Sequence, residues 1–237
     1  MTQIRKTIVI TGASRGIGAA LVNAYAAQGG EVIAVARSCP KTSWPNVQPL
    51  AADLATDAGI ARLVEVVEAQ GQGIDILINN AGIQNRIALT GSVDPAAIDA
   101  EIALNLASPI KMTLALMPFL RRSGSTVVNV TSLLALHPTA SAPVYSATKA
   151  GLSSFTRALR HQLTGKGIAV VEVIPPLVAT DMTAGRGRGK LAPEDMAAAI
   201  VAGVAKGATQ VAPGKSKFVM RLNRLLPGLV AAILAKE

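Results

Sequence analysis

Thr7-Ile-Val-Ile-Thr11-Gly12-Ala-Ser14-Arg15-Gly16-Ile17-Gly18 is a β-branched run followed at once by three glycines. Val, Ile and Thr in succession favour a strand. From Gly16 the apolar residues recur at helical spacing until Gly29-Gly30 stops them. A strand that turns through glycines into a helix aims the helix's free N–H groups at whatever lies over the turn. Glycine backbone lets a pyrophosphate come close to those donors. The spacing Gly-x-x-x-Gly-x-Gly differs from the Gly-x-Gly-x-x-Gly fingerprint of dinucleotide sites. An ordinary turn with glycines for packing is the alternative; a strand before and a helix after favour the nucleotide.

Outward from this turn, short Val- and Ile-rich runs alternate with helical patterns, the mark of a parallel sheet with crossover helices. Strands are predicted at residues 7–11, 31–37, 47–51, 74–79, 125–132 and 168–174, and helices at 16–28, 56–70, 95–122, 142–163 and 193–206. The fold class is α/β, a doubly wound, Rossmann-like parallel sheet with helices on both faces. All 237 residues fit one domain. Pro40 and Pro45 leave little room for a helix after the second strand. Residues 183–190 (TAGRGRGK) are basic and glycine-rich, so 183–195 is expected to form a loop on the substrate side, and 207–237 a divergent C-terminal segment.

Half of the residues are hydrophobic and 3% are aromatic, so the core must be aliphatic. The single cysteine, Cys39, excludes an intrachain disulfide and fits a reducing cytoplasm. Arg15 and the glycines interrupt the N-terminal apolar run too early for a signal peptide, and a soluble protein is expected. The net charge is +9, with six basic residues and no acid between Met196 and Lys236. Scarce aromatics and the lack of any nucleic-acid motif argue against nucleic acid. A solvated basic surface, or attraction of an anionic ligand, is the favoured account.

Tyr145 and Lys149 stand four residues apart, on one face of a helix, with Ser132 13 residues upstream. Reduction of a carbonyl needs a hydride on carbon and a proton on oxygen, and Tyr145 suits the proton. Lowering a phenol from ~10 by about three units needs about 4 kcal/mol of phenolate stabilisation, expected from the Lys149 ammonium and an oxidised nicotinamide. An acid at the end of the second strand would bind a ribose hydroxyl and repel a 2′-phosphate. Arg37 stands there instead and Arg15 lies in the glycine turn, which favours NADP(H) over NAD(H). Neither His137 nor His161 has partners for a metal site, and no metal is expected.

Thr11-Gly12-x-x-x-Gly16-Ile17-Gly18, Asp53-Leu54, Asn79-Asn80-Ala81-Gly82, Asn105, Ser132 and Tyr145-x-x-x-Lys149 together resemble the short-chain dehydrogenase/reductase superfamily of the single-domain type, over about residues 5 to 205. Residues 78–84, 143–145 and 174–180 look like the branch labelled for D-alanine esterification of lipoteichoic acid, a label that assigns no substrate. The resemblance implies that Asn105, Ser132, Tyr145 and Lys149 are catalytic: Ser132 polarises the substrate oxygen, Lys149 also holds the nicotinamide ribose, and Asn105 holds a water. It implies cofactor contacts at Gly12, Ser14, Arg15, Gly16, Ile17, Gly18, Arg37, Asp53, Leu54, Asn79, Ala81, Gly82, Tyr145, Lys149, Pro175, Val178 and Thr180. Asp53 is equally suited to local capping before Thr56. Where the family has Pro-Gly, this chain has Pro175-Pro176, and the second proline removes a donor.

The resemblance further implies a homodimer or homotetramer built on the third and fifth helices. The basic segment 222–236 could cover the substrate pocket, join an oligomer or rest on an anionic membrane, and packing against the body is favoured. The leading function is an NADP(H)-dependent oxidoreductase acting on a carbonyl or alcohol. An NADP-bound regulatory or scaffold protein would be expected to lose the acid, the amine or the serine, all kept here. A sugar-nucleotide epimerase or dehydratase would resemble longer chains with another glycine spacing. Pocket shape at residues 84–86, 133–137 and 177–190 sets the substrate.

Overall fold

A computed structural model describes residues 5–226, except 86, 88–90 and 92, together with 228 and 230. Seven strands form one parallel sheet: β1 (Thr7–Thr11), β2 (Glu31–Ala36), β3 (Val47–Ala51), β4 (Ile76–Asn79), β5 (Ser125–Val130), β6 (Ile168–Val173) and β7 (Gln210–Val211). Their order is β3-β2-β1-β4-β5-β6-β7. The chain reverses direction across the sheet between β1 and β4, where Ile8 pairs with Ile76 and Ile10 with Ile78. In sheets of this kind ligands seat outside the carboxyl ends of the strands at that switch. β1, β4 and β5 are buried along their whole length, as strands covered on both faces must be. Pro49 falls in β3, an edge strand, where a missing N–H costs no ladder bond.

Two aliphatic cores lie on opposite faces of the sheet. One packs Ile8, Ile10, Ile78, Val128 and Val173 against α1 (Gly16–Ala27) and α6 (Pro193–Ala205). The other packs Val9, Leu77, Val127 and Val170 against α2 (Asp57–Gln70), α4 (Ser108–Leu116) and α5 (Pro143–Gln162). Alternate residues of each strand therefore serve alternate cores.

The helix expected over 95–122 is not continuous. α3 (Pro95–Ile102) passes through a π-helical turn, Ala103–Ala107, into α4, and a 3₁₀ turn ends it at Met117–Phe119. Pro109 explains the turn: it lacks the N–H that the Asn105 carbonyl would accept in an α-helix. By length and composition Pro95–Phe119 could cross a membrane, yet it buries Glu101, Asn105, Met112, Thr113 and Leu116 in the body.

No element is expected beyond α6, but β7 adds to the sheet edge beside β6 and α7 (Lys215–Leu225) follows. Asn223 of α7 lies 2.5 Å from the His137 imidazole, so the segment rests on the loop after β5. Phe218 and Leu225 remain exposed on its outer side. Arg86 and residues 231–237, to which pocket and tail roles were assigned, lie outside the described residues.

Candidate active site

The carboxyl ends of β1, β2, β4, β5 and β6 open into one cleft of ≈ 860 Å³, within the ordinary range for cofactor and substrate sites. Its floor is the glycine turn. Gly12 and Gly16 take φ of +66° and +56°, a region where any side chain is strained. A Cβ on Gly12 would meet the Ala81 backbone at 2.8 Å, and one on Gly18 would meet the Gly12 carbonyl oxygen at 2.1 Å. Thr11 ties this turn to β4. Its hydroxyl donates to the Ile78 carbonyl and accepts the N–H groups of Asn80 and Ala81, each at 3.0 Å. Asn80 donates back to the Thr11 carbonyl at 2.9 Å. The start of α1 is thereby fixed with its donors facing the cleft, the arrangement a pyrophosphate requires.

Gly12, Ser14, Arg15, Gly16, Ile17, Arg37, Leu54, Ala81, Gly82, Pro175, Val178 and Thr180 line the cleft, and so do Ser132, Tyr145 and Lys149. Four predicted residues do not. Gly18 lies behind the turn and serves the close approach of α1 to Gly12. Asp53 is exposed and accepts the Ala55 N–H, a local turn before the Thr56 cap. Asn79 is 3% exposed and donates to Asn129 at 2.7 Å, and Asn129 donates to Thr156 of α5. It holds β4 to β5 and α5 rather than facing a ligand. Asn105 is fully buried behind Gly82. Its amide accepts the Ile83 N–H at 2.9 Å and donates to the Ile83 carbonyl at 2.8 Å.

Lining residues that the sequence did not single out include Asn80, Leu104 and Thr139. Asn80 sits inside a motif already quoted, so its signal was present; the other two carry none. Arg15 pairs with Asp181 at 3.1 Å across the cleft mouth. Both side chains are exposed, and such a pair contributes only ~0–1 kcal/mol, so an incoming phosphate can displace the carboxylate.

Tyr145 and Lys149 face inward from the first turns of α5, 9% and 4% exposed. Burial pushes the Tyr145 phenol up to about 12, while the Ser132 hydroxyl and the Arg186 charge pull it down and Glu101 pushes it up. The expected lowering by lysine is therefore absent in the chain by itself. The reason is geometric: the Lys149 ammonium donates to the Val130 carbonyl at 2.8 Å and stands 5.7 Å from the centre of the phenol ring. Burial holds Lys149 down at about 8. The Ser132 hydroxyl oxygen accepts the Leu134 N–H at 3.1 Å, which leaves its own proton to donate into the cleft. Among the described residues no cluster of ligands could hold a metal ion.

The depressed lysine makes a stability prediction. The unfolded chain binds the Lys149 proton up to about 10.5 and the folded chain only to about 8, so folding is penalised below pH 8 and recovers between pH 8 and 10.5. Lys149→Met removes that penalty. Its stability relative to the unmodified chain should be highest below pH 8 and decline toward pH 10.5, measured by urea unfolding across that range. A difference that does not change with pH would show that Lys149 keeps an ordinary affinity for its proton.

The sequence model of the short chain dehydrogenase family matches residues 6–190. An uncharacterized oxidoreductase, DltE, of Bacillus subtilis is 36% identical over 189 residues, 77% of this chain and 75% of its own. That protein matches the branch resemblance read from residues 78–84, 143–145 and 174–180. The ketoacyl reductase HetN of a Nostoc species is 29% identical, over 93% of this chain and 83% of its own. Among solved structures, a short chain dehydrogenase from Burkholderia cenocepacia in complex with NADP superposes with a TM-score of 0.86 at 28% identity, covering 98% of this chain and 99% of that one. Fold, glycine turn and the match over most of the length agree. The chain belongs to the short chain dehydrogenase family and is an oxidoreductase acting on CH–OH and C=O groups.

Proposed function

We propose that the protein reduces a ketone or aldehyde, or oxidises the matching alcohol, with NADP(H), and that Tyr145 moves the proton. The observation that carries this reading is the convergence of Ser132, Tyr145 and Lys149 on one cleft whose other half is a glycine turn flanked by Arg15 and Arg37. The bound nicotinamide would supply the hydride; the chain's own residues do the rest. With the phenol up at about 12, Tyr145 carries its proton at neutral pH, the form that protonates a developing alkoxide, and the lowering that efficient transfer calls for would come with the bound cofactor. Ser132, its oxygen already accepting from Leu134, donates its hydroxyl proton to the same substrate oxygen. Lys149 keeps positive charge beside the phenol, and Asn105 positions the Gly82–Ile83 backbone against it.

Arg37, at the end of β2, and Arg15 would share the 2′-phosphate, and Ala36 and Leu54 would wall the adenine end. Val178 and Thr180 would meet the carboxamide without help from Pro176, which has no N–H. On this reading the chain is one cofactor-binding unit, with the loop before α6 on the substrate side and α7 packed against the body through Asn223. Ile102 and Leu114, exposed on α3 and α4, would form part of a homodimer or homotetramer contact. Exposed, unpaired Cys39 fits a reducing cytoplasm.

NADPH oxidation measured against a panel of ketones, aldehydes and quinones tests the activity. Arg37→Asp tests the cofactor: kcat/KM for NADPH should fall roughly 10- to 100-fold, the cost of losing a charge-assisted bond, while NADH is little affected. Equal losses with both cofactors would remove Arg37 from the 2′-phosphate.

A further inference from the structure

We propose that Arg186 is an oxyanion-recognition residue and that the carbonyl substrate carries a carboxylate or phosphate, seated by the loop between β6 and α6. The inference rests on the carbonyl-reducing reading of the cleft and adds its substrate class.

The loop is built rather than slack. Its base is closed by backbone bonds, Ala179 N–H to the Leu191 carbonyl and Leu191 N–H to the Leu177 carbonyl, both 2.9 Å. Lys190 donates to the Thr183 carbonyl at 2.6 Å, and Lys215 of α7 donates to the Arg188 carbonyl at 3.3 Å. Gly185, Gly187 and Gly189 all take positive φ, +72°, +59° and +64°. A side chain at 187 would strike Leu177 at 2.4 Å, so the loop lies tight against the cleft wall. The alternation of left-handed glycines turns the two intervening arginines to different fates. Arg188 is exposed, whereas Arg186 is half-buried and lines the cleft.

Arg186 brings five N–H donors to that position. Among the described residues its one side-chain hydrogen bond goes to the Met182 carbonyl, which leaves a planar fork suited to a carboxylate or phosphate. Leu133, Leu134, Leu177 and Met182 line the same cleft. A guanidinium that loses water among such groups without gaining an anion is costly, so a neutral substrate closing over it would be disfavoured. The Arg186 charge reaches the reacting end, where it favours the Tyr145 phenolate. The proposed reading gives the cofactor phosphates Arg15 and Arg37 and makes no call on Arg186.

The experiment compares matched pairs: 3-oxobutanoate against its ethyl ester, and dihydroxyacetone phosphate against dihydroxyacetone. For the unmodified protein at least one anionic member should exceed its neutral partner in kcat/KM by roughly 10- to 100-fold. Arg186→Gln should erase that ratio, in which any change reaching both members through the Tyr145 phenol cancels, while leaving the KM for NADPH within about twofold. Titration calorimetry of the NADP⁺-loaded protein, in which no hydride is available, should show the same anion preference and its loss. A preference for the first pair assigns a carboxylate, for the second a phosphate. Turnover of neutral carbonyls with no anion preference, or an unchanged ratio in Arg186→Gln, overturns the inference and leaves the reductase reading standing. Anion binding by calorimetry without turnover of any carbonyl would overturn the reductase reading instead, and absence of both would remove the two together.

Discussion

Tyr145→Phe should lower kcat by about 10²- to 10⁴-fold, the usual contribution of a positioned acid, while the affinity for NADPH stays nearly unchanged. The substitution deletes one oxygen from a ring that is 9% exposed and leaves the packing of α5 and the reach of Lys149 to Val130 intact. A loss confined to turnover therefore reports proton transfer rather than folding. Single-turnover measurement with bound NADPH separates it from product release. Ser132→Ala should give a smaller deficit, about 10²- to 10³-fold, since it removes a donor to the substrate oxygen but not the proton that is transferred. A rate near normal in Tyr145→Phe would eliminate the mechanism outright.

The same site fixes the sign of the pH dependence. With the phenol near 12 and the lysine near 8, Tyr145 stays protonated throughout neutral pH and Lys149 begins to lose its charge above about 8. Reduction should accordingly be level from about pH 6 to 7.5, then decline as the ammonium beside the phenol is lost. The logarithm of kcat/KM for the carbonyl against pH is the measurement. A profile that keeps rising through pH 9 would place the functional proton elsewhere.

What the sequence revealed and what it hid differ for physical reasons. Strand positions were legible because buried parallel strands must be apolar on both faces, and the six expected strands recur within two residues of their ends. The missing helix between β2 and β3 was legible from Pro40 and Pro45. β7 and α7 were not: a two-residue strand has no periodicity, and the α7 sequence, mixing Lys215, Lys217 and Arg221 with Phe218 and Leu222, suits a surface as well as a helix. The break at Asn105 was written in Pro109, four residues on, but an apolar pattern running through both hid it. Asn79 and Asn80 are adjacent and chemically identical, yet Asn79 closes β4 and bonds to Asn129 of β5 while Asn80, the next residue, turns to the Thr11 carbonyl at the cleft. Residue type selected the motif; only the end of the strand decides which member meets the ligand. The buried acid Glu101 was invisible because an acid within the Asp94–Glu101 stretch reads as a solvated helix face.

Gly18→Ala is the harsher test of the glycine turn that decides the fold. Gly12 and Gly16 are constrained by their positive φ, whereas Gly18 is constrained only by space. Its added Cβ would sit 2.1 Å from the Gly12 carbonyl oxygen, 2.7 Å from the Gly12 carbonyl carbon and 2.8 Å from the Asn80 amide nitrogen. Two of these are backbone atoms and cannot swing aside, so the first turn of α1 must move away from Gly12 by an ångström or so, roughly the difference from ordinary van der Waals separation. That movement withdraws the helix N–H groups from a phosphate and loosens the Asn80 link to Thr11. Overpacking of this kind costs about 1–3 kcal/mol, a fall in Tm of roughly 2–12 °C for a chain of this size. NADPH affinity should also drop, by about 100-fold, because several charge-assisted bonds depend on one backbone position. Gly29→Ala is the control: unlike Gly18 it takes a positive φ, +79°, and it has nothing within 4 Å, so it should cost stability through backbone strain alone and leave cofactor binding unchanged. If Gly18→Ala bound NADPH as tightly as the unmodified chain, the close approach of α1 to Gly12 could not be what seats the phosphates, and the nucleotide reading of the opening turn would have to be replaced.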